Sequence, residues 1–346
     1  MSRAPSEHPP SLPVLSPVVV DTLDHDARLL PSINIASTSF WRERFRSRPL
    51  PLLVLGGRST SAATLWTLIA ERIAMLRSAQ VAPGSVVIAP LAETPEWVAT
   101  LVASWCAGLR CTICAPGDIG LAARLTGAGL IFDAARLSLH ALAEPSDPDR
   151  SPTHRAILMG VQASQIPNVG APVIALEASQ VAHLASSHTS LGENQVVQSA
   201  TDWTNPLAIA LDLVASLVQG VILQRDASPL APEWIFTDCP LESSKGAIAP
   251  SRGVLLVAPH RDANLLTREA YQLARRFWGL TVAPPDASDA PSHPIADKKA
   301  CTHAASTTPH GCWVRLERTS TVDAASACPN LLPTASERQS DFQPIP

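Results

Sequence analysis

The chain has 346 residues, enough for two ordinary domains or for one large α/β domain with unstructured ends. Hydrophobic residues make up 46% and charged residues 16%, so the middle must bury much of itself, while 32 prolines against 16 glycines mark extended stretches toward the two ends. A net charge of −4, with Lys245, Lys298 and Lys299 as the only lysines, gives no basic surface for nucleic acid.

Prolines interrupt the first twenty residues where a signal peptide needs an unbroken apolar helix, and no apolar run reaches the roughly 20 residues of a membrane span. These features predict a cytoplasmic chain. Seven cysteines is an odd count, and Cys106, Cys111 and Cys114 fall within apolar segments, so reduced thiols are expected.

Residues 1–39 read as a flexible leader, with order beginning near Phe40. From Thr64 to Ala79, Leu65, Leu68, Ile69, Ile73 and Leu76 recur at helical spacing with Glu71, Arg72 and Arg77 between them, which predicts an amphipathic helix. The turn at Pro83 and Gly84 leads into the apolar run Val86 to Ala89, expected as a buried parallel strand. A second helix starts where Thr94 can cap, Pro95 takes the first turn and Glu96 complements the dipole; Gly108 ends it. Strands at Cys111 to Pro116 and Leu130 to Asp133 flank a short helix from Leu121 to Ala128. Strand and helix alternate, as in a mostly parallel α/β sheet flanked by helices.

A polar proline loop spans 143–153, and a strand resumes at Ala171 to Glu177. Pro206 to Val218 reads as a helix, followed by strands at Gly220 to Gln224, Glu233 to Asp238 and Gly253 to Val257. Helix Ala263 to Phe277 closes a domain of residues 40–283, and 284–346 reads as a disordered tail rich in Pro, Ser and Ala.

The stretch from Thr64 to Pro116 resembles the opening subdomain of adenylate-forming, AMP-binding enzymes: the helix Leu65 to Leu76, then Val81-Ala-Pro-Gly84 before a strand, then Thr94-Pro-Glu-Trp97 and Ala107-Gly108. The family's signature is a Ser/Thr/Gly-rich loop between two strands that wraps ATP phosphates with backbone N–H groups and a lysine. Its matching place is Ser243, Ser244, Lys245, Gly246, then Ser251, Arg252 and Gly253, with His260 to Leu266 similar to the segment that follows. Most of the small hydroxyl and glycine pattern is gone, and Ser251 and Arg252 stand where one lysine is usual. This relaxed loop is similar to those of fatty acyl-AMP ligases and disco-interacting proteins. The resemblance implies a truncated or degenerate acyl-adenylate-forming protein, with ATP and Mg²⁺ as cofactors and Lys245, Ser244 and Arg252 on the phosphates. The alternative is a non-catalytic module binding an acyl or nucleotide ligand or a protein partner.

Other motifs have a bland reading beside the sharp one. Cys111 and Cys114 form a CxxC pair but project to opposite faces of one strand, which favours inert thiols over redox chemistry. Cys301, His303, His310 and Cys312 present four zinc-ligand types, yet their spacing fits no common finger. His260 and Asp262 read as a helix-start polar cluster, and Lys298 and Lys299 as solvated tail residues. No G-x-G-x-x-G follows a strand, since Gly117 and Gly120 lack the spacing, which disfavours a dinucleotide-binding oxidoreductase.

Overall fold

The computed structural model describes residues 33–46, 48, 51–142, 155–161, 173–187, 191–225, 230–238, 249–258, 263–278, 301–308 and 311–318. By contacts the chain divides into Met1–Ile33 and Asn34–Pro346, and every described helix and strand belongs to the second unit. Its first elements are α1 (Thr38–Arg46), β1 (Pro51–Leu55), β2 (Arg58–Ser61), α2 (Ala62–Ser78), β3 (Val86–Pro90), α3 (Pro95–Cys106) and β4 (Arg110–Cys114). Next come α4 (Ile119–Thr126), β5 (Leu130–Asp133), β6 (Ser138–Ala141), β7 (Ala156–Val161), β8 (Val173–Glu177), α5 (Ala178–Ser186) and β9 (Val196–Ala200). A composite helix follows, α6 (Pro206–Ile209) and α7 (Ala215–Gln219) joined by a π-helical turn (Ala210–Val214). The last elements are β10 (Ile222–Gln224), β11 (Trp234–Thr237), β12 (Gly253–Ala258), α8 (Ala263–Trp278), β13 (Cys301–Thr308) and β14 (Gly311–Arg318).

The strands form two sheets. One has six strands in the order β6-β5-β3-β4-β7-β8, with β5, β3, β4 and β7 parallel and an antiparallel strand at each edge. Strand β3 is buried over Val86–Ala89 and β4 over Cys111–Cys114, which explains why both read as continuous apolar runs. Helix α2 starts at Ser61, whose side chain accepts the Thr64 N–H, and buries Leu65, Ile69, Ile73 and Leu76. Arg72 departs from the polar face expected of it. It is 3% exposed and donates to Thr100 Oγ1 at 3.1 Å, Leu68 O at 3.0 Å and Ala134 O at 3.0 Å, tying α2 to α3 and to the turn after β5. Helix α3 begins as its sequence implies, with Thr94 as N-cap, and is buried over Trp97–Trp105.

The second sheet has eight strands in the order β13-β14-β12-β11-β9-β10-β1-β2. From β12 to β1 they run parallel, and the Gly56-Gly57 turn folds β2 back antiparallel onto β1. At the other edge β14 pairs antiparallel with β12 and β13 with β14. This hairpin lies inside the stretch expected to be a disordered tail. Cys312, Val314 and Leu316 alternate into a core with Val254, Leu256, Leu266, Ala270 and Leu273, so a period-two pattern carried by only a few apolar residues docks against β12 and α8. Residues 1–32 and 319–346 lie outside the described residues. Gly160 of β7 lies hard against the start of α6: a Cβ there would lie 2.3 Å from both Pro206 Cδ and Thr204 O.

Candidate functional site

In the eight-stranded sheet the chain leaves β9 through the composite helix to β10 on one side, whereas β11, on the other side of β9, leads away to β12. Connections departing in opposite directions from neighbouring parallel strands open a crevice at their carboxyl ends, the usual place for a ligand in an α/β sheet. Thr201, Asp202 and Trp203 follow β9, Asp238 follows β11 and Arg225 follows β10, so all five gather at this edge. The Asp202 N–H donates across the crevice to Asp238 Oδ2 at 2.5 Å. Asp202 also accepts from the Thr204 N–H and Thr204 Oγ1, both at 2.8 Å, which shapes the turn into α6.

Behind this rim lies Asp212, fully buried in the π-helical turn. One of its oxygens, Oδ2, accepts from Ser199 Oγ, from Thr201 Oγ1 at 2.7 Å and from Trp203 Nε1 at 3.0 Å. The other, Oδ1, is buried with no hydrogen-bond partner. Burial raises the carboxyl above its ordinary pKa, while the three donors and the charge of Arg225 pull it down. A helix widened by a π turn brings this carboxylate to the end of β9, and such turns concentrate at functional positions.

Asp212 fixes Trp203, and Trp203 anchors a ladder. Its indole stacks on Trp97 of α3 at 5.7 Å between centroids and 11° between planes. Arg225 lies over the Trp203 ring, with Cζ 4.3 Å from the centroid. The guanidinium then reaches Glu93 Oε1 through Nη2 at 2.9 Å and Ser199 Oγ through Nη1 at 3.4 Å. Glu93 and Trp97 come from the carboxyl end of β3 and from α3, so the carboxyl edges of both sheets contribute. Glu93 sits at φ +45, a left-handed conformation costly for a residue with a Cβ. The Trp203 ring is thereby fully buried between its neighbours, and the crevice edge carries a guanidinium already engaged by a carboxylate and two rim aspartates.

No family model matches the chain, and no curated protein matches it. Solved structures do. The Klebsiella oxytoca NpsA N-terminal subdomain, in complex with 3-hydroxybenzoyl-AMSN, matches with a TM-score of 0.50 and 13% identity over 70% of this chain and 76% of that one. The chain has the fold of an adenylation-domain N-terminal subdomain. The apo structure of Mycobacterium smegmatis MbtA matches with a TM-score of 0.48 and 14% identity over 66% of this chain and 56% of that one.

On this adenylation fold the candidate phosphate-loop residues are divided. Ser243, Ser244, Lys245 and Gly246 lie outside the described residues, as do His260, Asp262, Lys298 and Lys299. Ser251, Arg252 and Gly253 stand at the amino end of β12, whereas the crevice opens at the carboxyl ends. Their N–H groups donate to the strand beside them: Ser251 to Pro232 O at 3.2 Å, and Arg252 and Gly253 to Glu233 O at 2.8 and 3.1 Å. The Arg252 guanidinium pairs with Glu233 Oε2 at 2.9 Å. Gly253 is glycine for a packing reason, because a Cβ there would lie 2.1 Å from Trp234 Cζ3.

The remaining motifs are placed as follows. In the hairpin register Cys301 pairs with Arg318 and Thr307 with Cys312, so Cys301 and Cys312 stand at opposite ends, roughly 20 Å apart at about 3.3 Å per residue. His310 is outside the described residues, and among those described no three His, Cys, Asp or Glu side chains form a metal-holding group. Cys111 and Cys114 are both buried in β4, and burial pushes their thiols up to about 12 and about 11. No described helix is long and apolar enough to cross a membrane. Neither Asp212 nor the Glu93–Arg225 pair is singled out by sequence motifs. The available signal was Asp212 itself, the one charge in the apolar run 206–219.

Proposed function

We propose that this chain is a degenerate adenylation-type domain that binds an acyl or nucleotide ligand at the crevice between β9 and β11 without forming an acyl-adenylate. The observation that carries this reading is the use of the Ser251, Arg252 and Gly253 N–H groups within the sheet. A phosphate grip needs backbone donors turned toward the ligand, and donors already bonded to Pro232 and Glu233 have none to give. Arg252, standing where a lysine is usual, is likewise occupied by Glu233. The described residues thus do not fit ATP phosphates at this end of the loop. Support for retained binding comes from the switch-point crevice, where the Trp203 indole and Arg225 are held in place by Asp212, Trp97 and Glu93. Buried thiols at Cys111 and Cys114, neither of them in a disulfide, are in keeping with a reducing cytosol.

The test is pyrophosphate release from ATP with a panel of fatty and aryl carboxylic acids, run beside tryptophan-fluorescence titrations with the same acids and with AMP. The expected result is no acid-dependent release together with saturable quenching by at least one ligand. Acid-dependent release above the heat-killed control overturns the non-catalytic half. Absence of quenching by every ligand overturns the binding half and leaves a protein-interaction module as the reading.

A further inference from the structure

The two ends of the eight-stranded sheet are finished differently. At one end β2 is four residues long, has a register shift in its pairing with β1, and carries Arg58, whose guanidinium lies 2.9 Å from Glu96 Oε1. The edges of the six-stranded sheet are blunted as well: β6 is four residues long, and β8 is five, with a register shift against β7. Short strands, charges and bulges are the means by which a sheet keeps its open row of N–H and C=O groups from pairing with another chain. At the other end of the eight-stranded sheet β13, Cys301–Thr308, has none of these. It is eight residues long, pairs with β14 without a shift from Cys301 opposite Arg318 to Thr308 opposite Gly311, and contains no Asp, Glu, Lys, Arg or Pro. Among the described residues no strand lies beyond it.

We propose that β13 is an interface between two copies of this chain, which pair antiparallel along it about a two-fold axis and continue the sheet of one copy into that of the other. Such pairing sets each residue opposite one of the same strand, so a chain pairs well with itself only where no charge meets its like. With the axis at Ala305, Thr302 faces Thr308, His303 faces Thr307 and Ala304 faces Ser306; with the axis at Ala304, Cys301 faces Thr307, Thr302 faces Ser306 and His303 faces Ala305. Neither register opposes two charged residues. Alanine and serine have little strand preference of their own, so a strand of this composition, held by β14 on one side, is stabilised by a second ladder on the other. The segment that leads into it supplies no substitute: residues 279–300 are broken by Pro284, Pro285, Pro291 and Pro294, which lack the ladder donor, and hold no proline-free run as long as β13. Because β14, β12 and β11 separate β13 from β9, this interface stands or falls independently of the function proposed above.

The experiment is sedimentation equilibrium of the full chain under reducing conditions, at concentrations up to on the order of 100 μM. The expected result is a reversible monomer–dimer equilibrium. Ala304→Lys and Ala305→Lys each bring two like charges together near the axis and should weaken dimerisation by about tenfold or more, whereas Ala304→Ser should leave it unchanged. Because a lysine can also disturb the hairpin, cysteine trapping gives a second reading. Residues opposite each other in an antiparallel ladder lie about 4.5–5.5 Å apart at Cα, within reach of a disulfide. Ala304→Cys or Ala305→Cys, whichever sits on the axis, should link to its own copy under glutathione oxidation faster than wild type and faster than Thr308→Cys. The assignment is overturned by a chain that stays monomeric throughout the concentration range, as it would if its own proline-free run 319–328 took the edge. It is equally overturned by a dimer that folded lysine variants leave unchanged, or by trapping no faster at 304 and 305 than at 308.

Discussion

Gly253→Ala asks whether a glycine at the mouth of the candidate phosphate loop serves a ligand or the sheet. Gly253 is in register with Trp234 on the neighbouring parallel strand. A Cβ there would stand 2.1, 2.5 and 2.6 Å from three atoms of the Trp234 ring, far inside van der Waals contact. The ring has nowhere to retreat, being 1% exposed and pinned by its Nε1–H donating to Gln195 Oε1 at 3.2 Å. Overpacking of this kind costs about 1–3 kcal/mol, and losing the indole hydrogen bond about 1 kcal/mol more. Against that, alanine in a strand gains about 0.5–1 kcal/mol over glycine in backbone entropy. The net expectation is a loss of about 1–3 kcal/mol, read as a lower midpoint in urea with an unchanged slope. In a Trp234→Leu background the obstructing ring is gone, and the same substitution should become neutral or slightly stabilising. The four proteins form a double-mutant cycle with an expected coupling of about 1–3 kcal/mol. An equal cost of Gly253→Ala in both backgrounds would refute the packing account and return the glycine to the loop.

Two further outcomes follow from buried ionisable groups. Because burial raises the folded-state pKa of Asp212, its contribution to stability is fully present below the unfolded value of about 3.9 and declines as pH rises through the folded value. The stability of wild type minus that of Asp212→Asn should therefore fall with rising pH in that window, by at most about 1.4 kcal/mol per unit, and a difference that is flat or rises with pH contradicts the assignment. Cys111 and Cys114, pushed up to about 12 and about 11, stay protonated in mildly alkaline buffer, so iodoacetamide should label neither in the folded chain and both in urea. Labelling of either at the rate of a free thiol before unfolding is the contrary result.

Local patterns announced the elements whose reasons are local. Thr94, Pro95 and Glu96 mark the start of α3 because capping and dipole effects act within one turn. Strands β3, β4, β11 and β12 are buried apolar runs, and burial of both faces is why they read as continuous rather than alternating. Elements with mixed signals were missed. The β1–β2 hairpin turns on Gly56 and Gly57, both at positive φ, a glycine pair that favours a tight hairpin. Helix α5 opens on a capping box, in which Gln180 Oε1 accepts the Glu177 N–H, without the usual Ser or Thr at the N-cap. In β13–β14, long-range docking on β12 overrides a composition rich in Ala, Ser and Thr that has little strand preference of its own.

The site was less legible than the fold for a physical reason visible at Asp212. A carboxylate in an apolar helix is costly unless donors surround it, so its presence implies partners, but nothing in the helix says which. Those donors are Ser199, Thr201 and Trp203, and they converge only because β9 delivers them to the face of the π-helical turn. Trp203 in turn is shared with Trp97 and Arg225, so the charge of Glu93, just after β3 of the six-stranded sheet, is linked through a guanidinium and an indole to Asp212 in the helix that follows β9 of the other. Motif spacing pointed instead to residues 243–253, where a loop resembles a phosphate grip, yet the described end of that loop spends its donors on Pro232 and Glu233. A loop keeps its place through strand pairing alone, whereas a ligand site requires polar groups held without being used up. At Ser251–Gly253 every described N–H is already bonded to Pro232 or Glu233, whereas the crevice proposed as the ligand site opens at the carboxyl ends of β9 and β11, where the rim carboxylates of Asp202 and Asp238 are gathered.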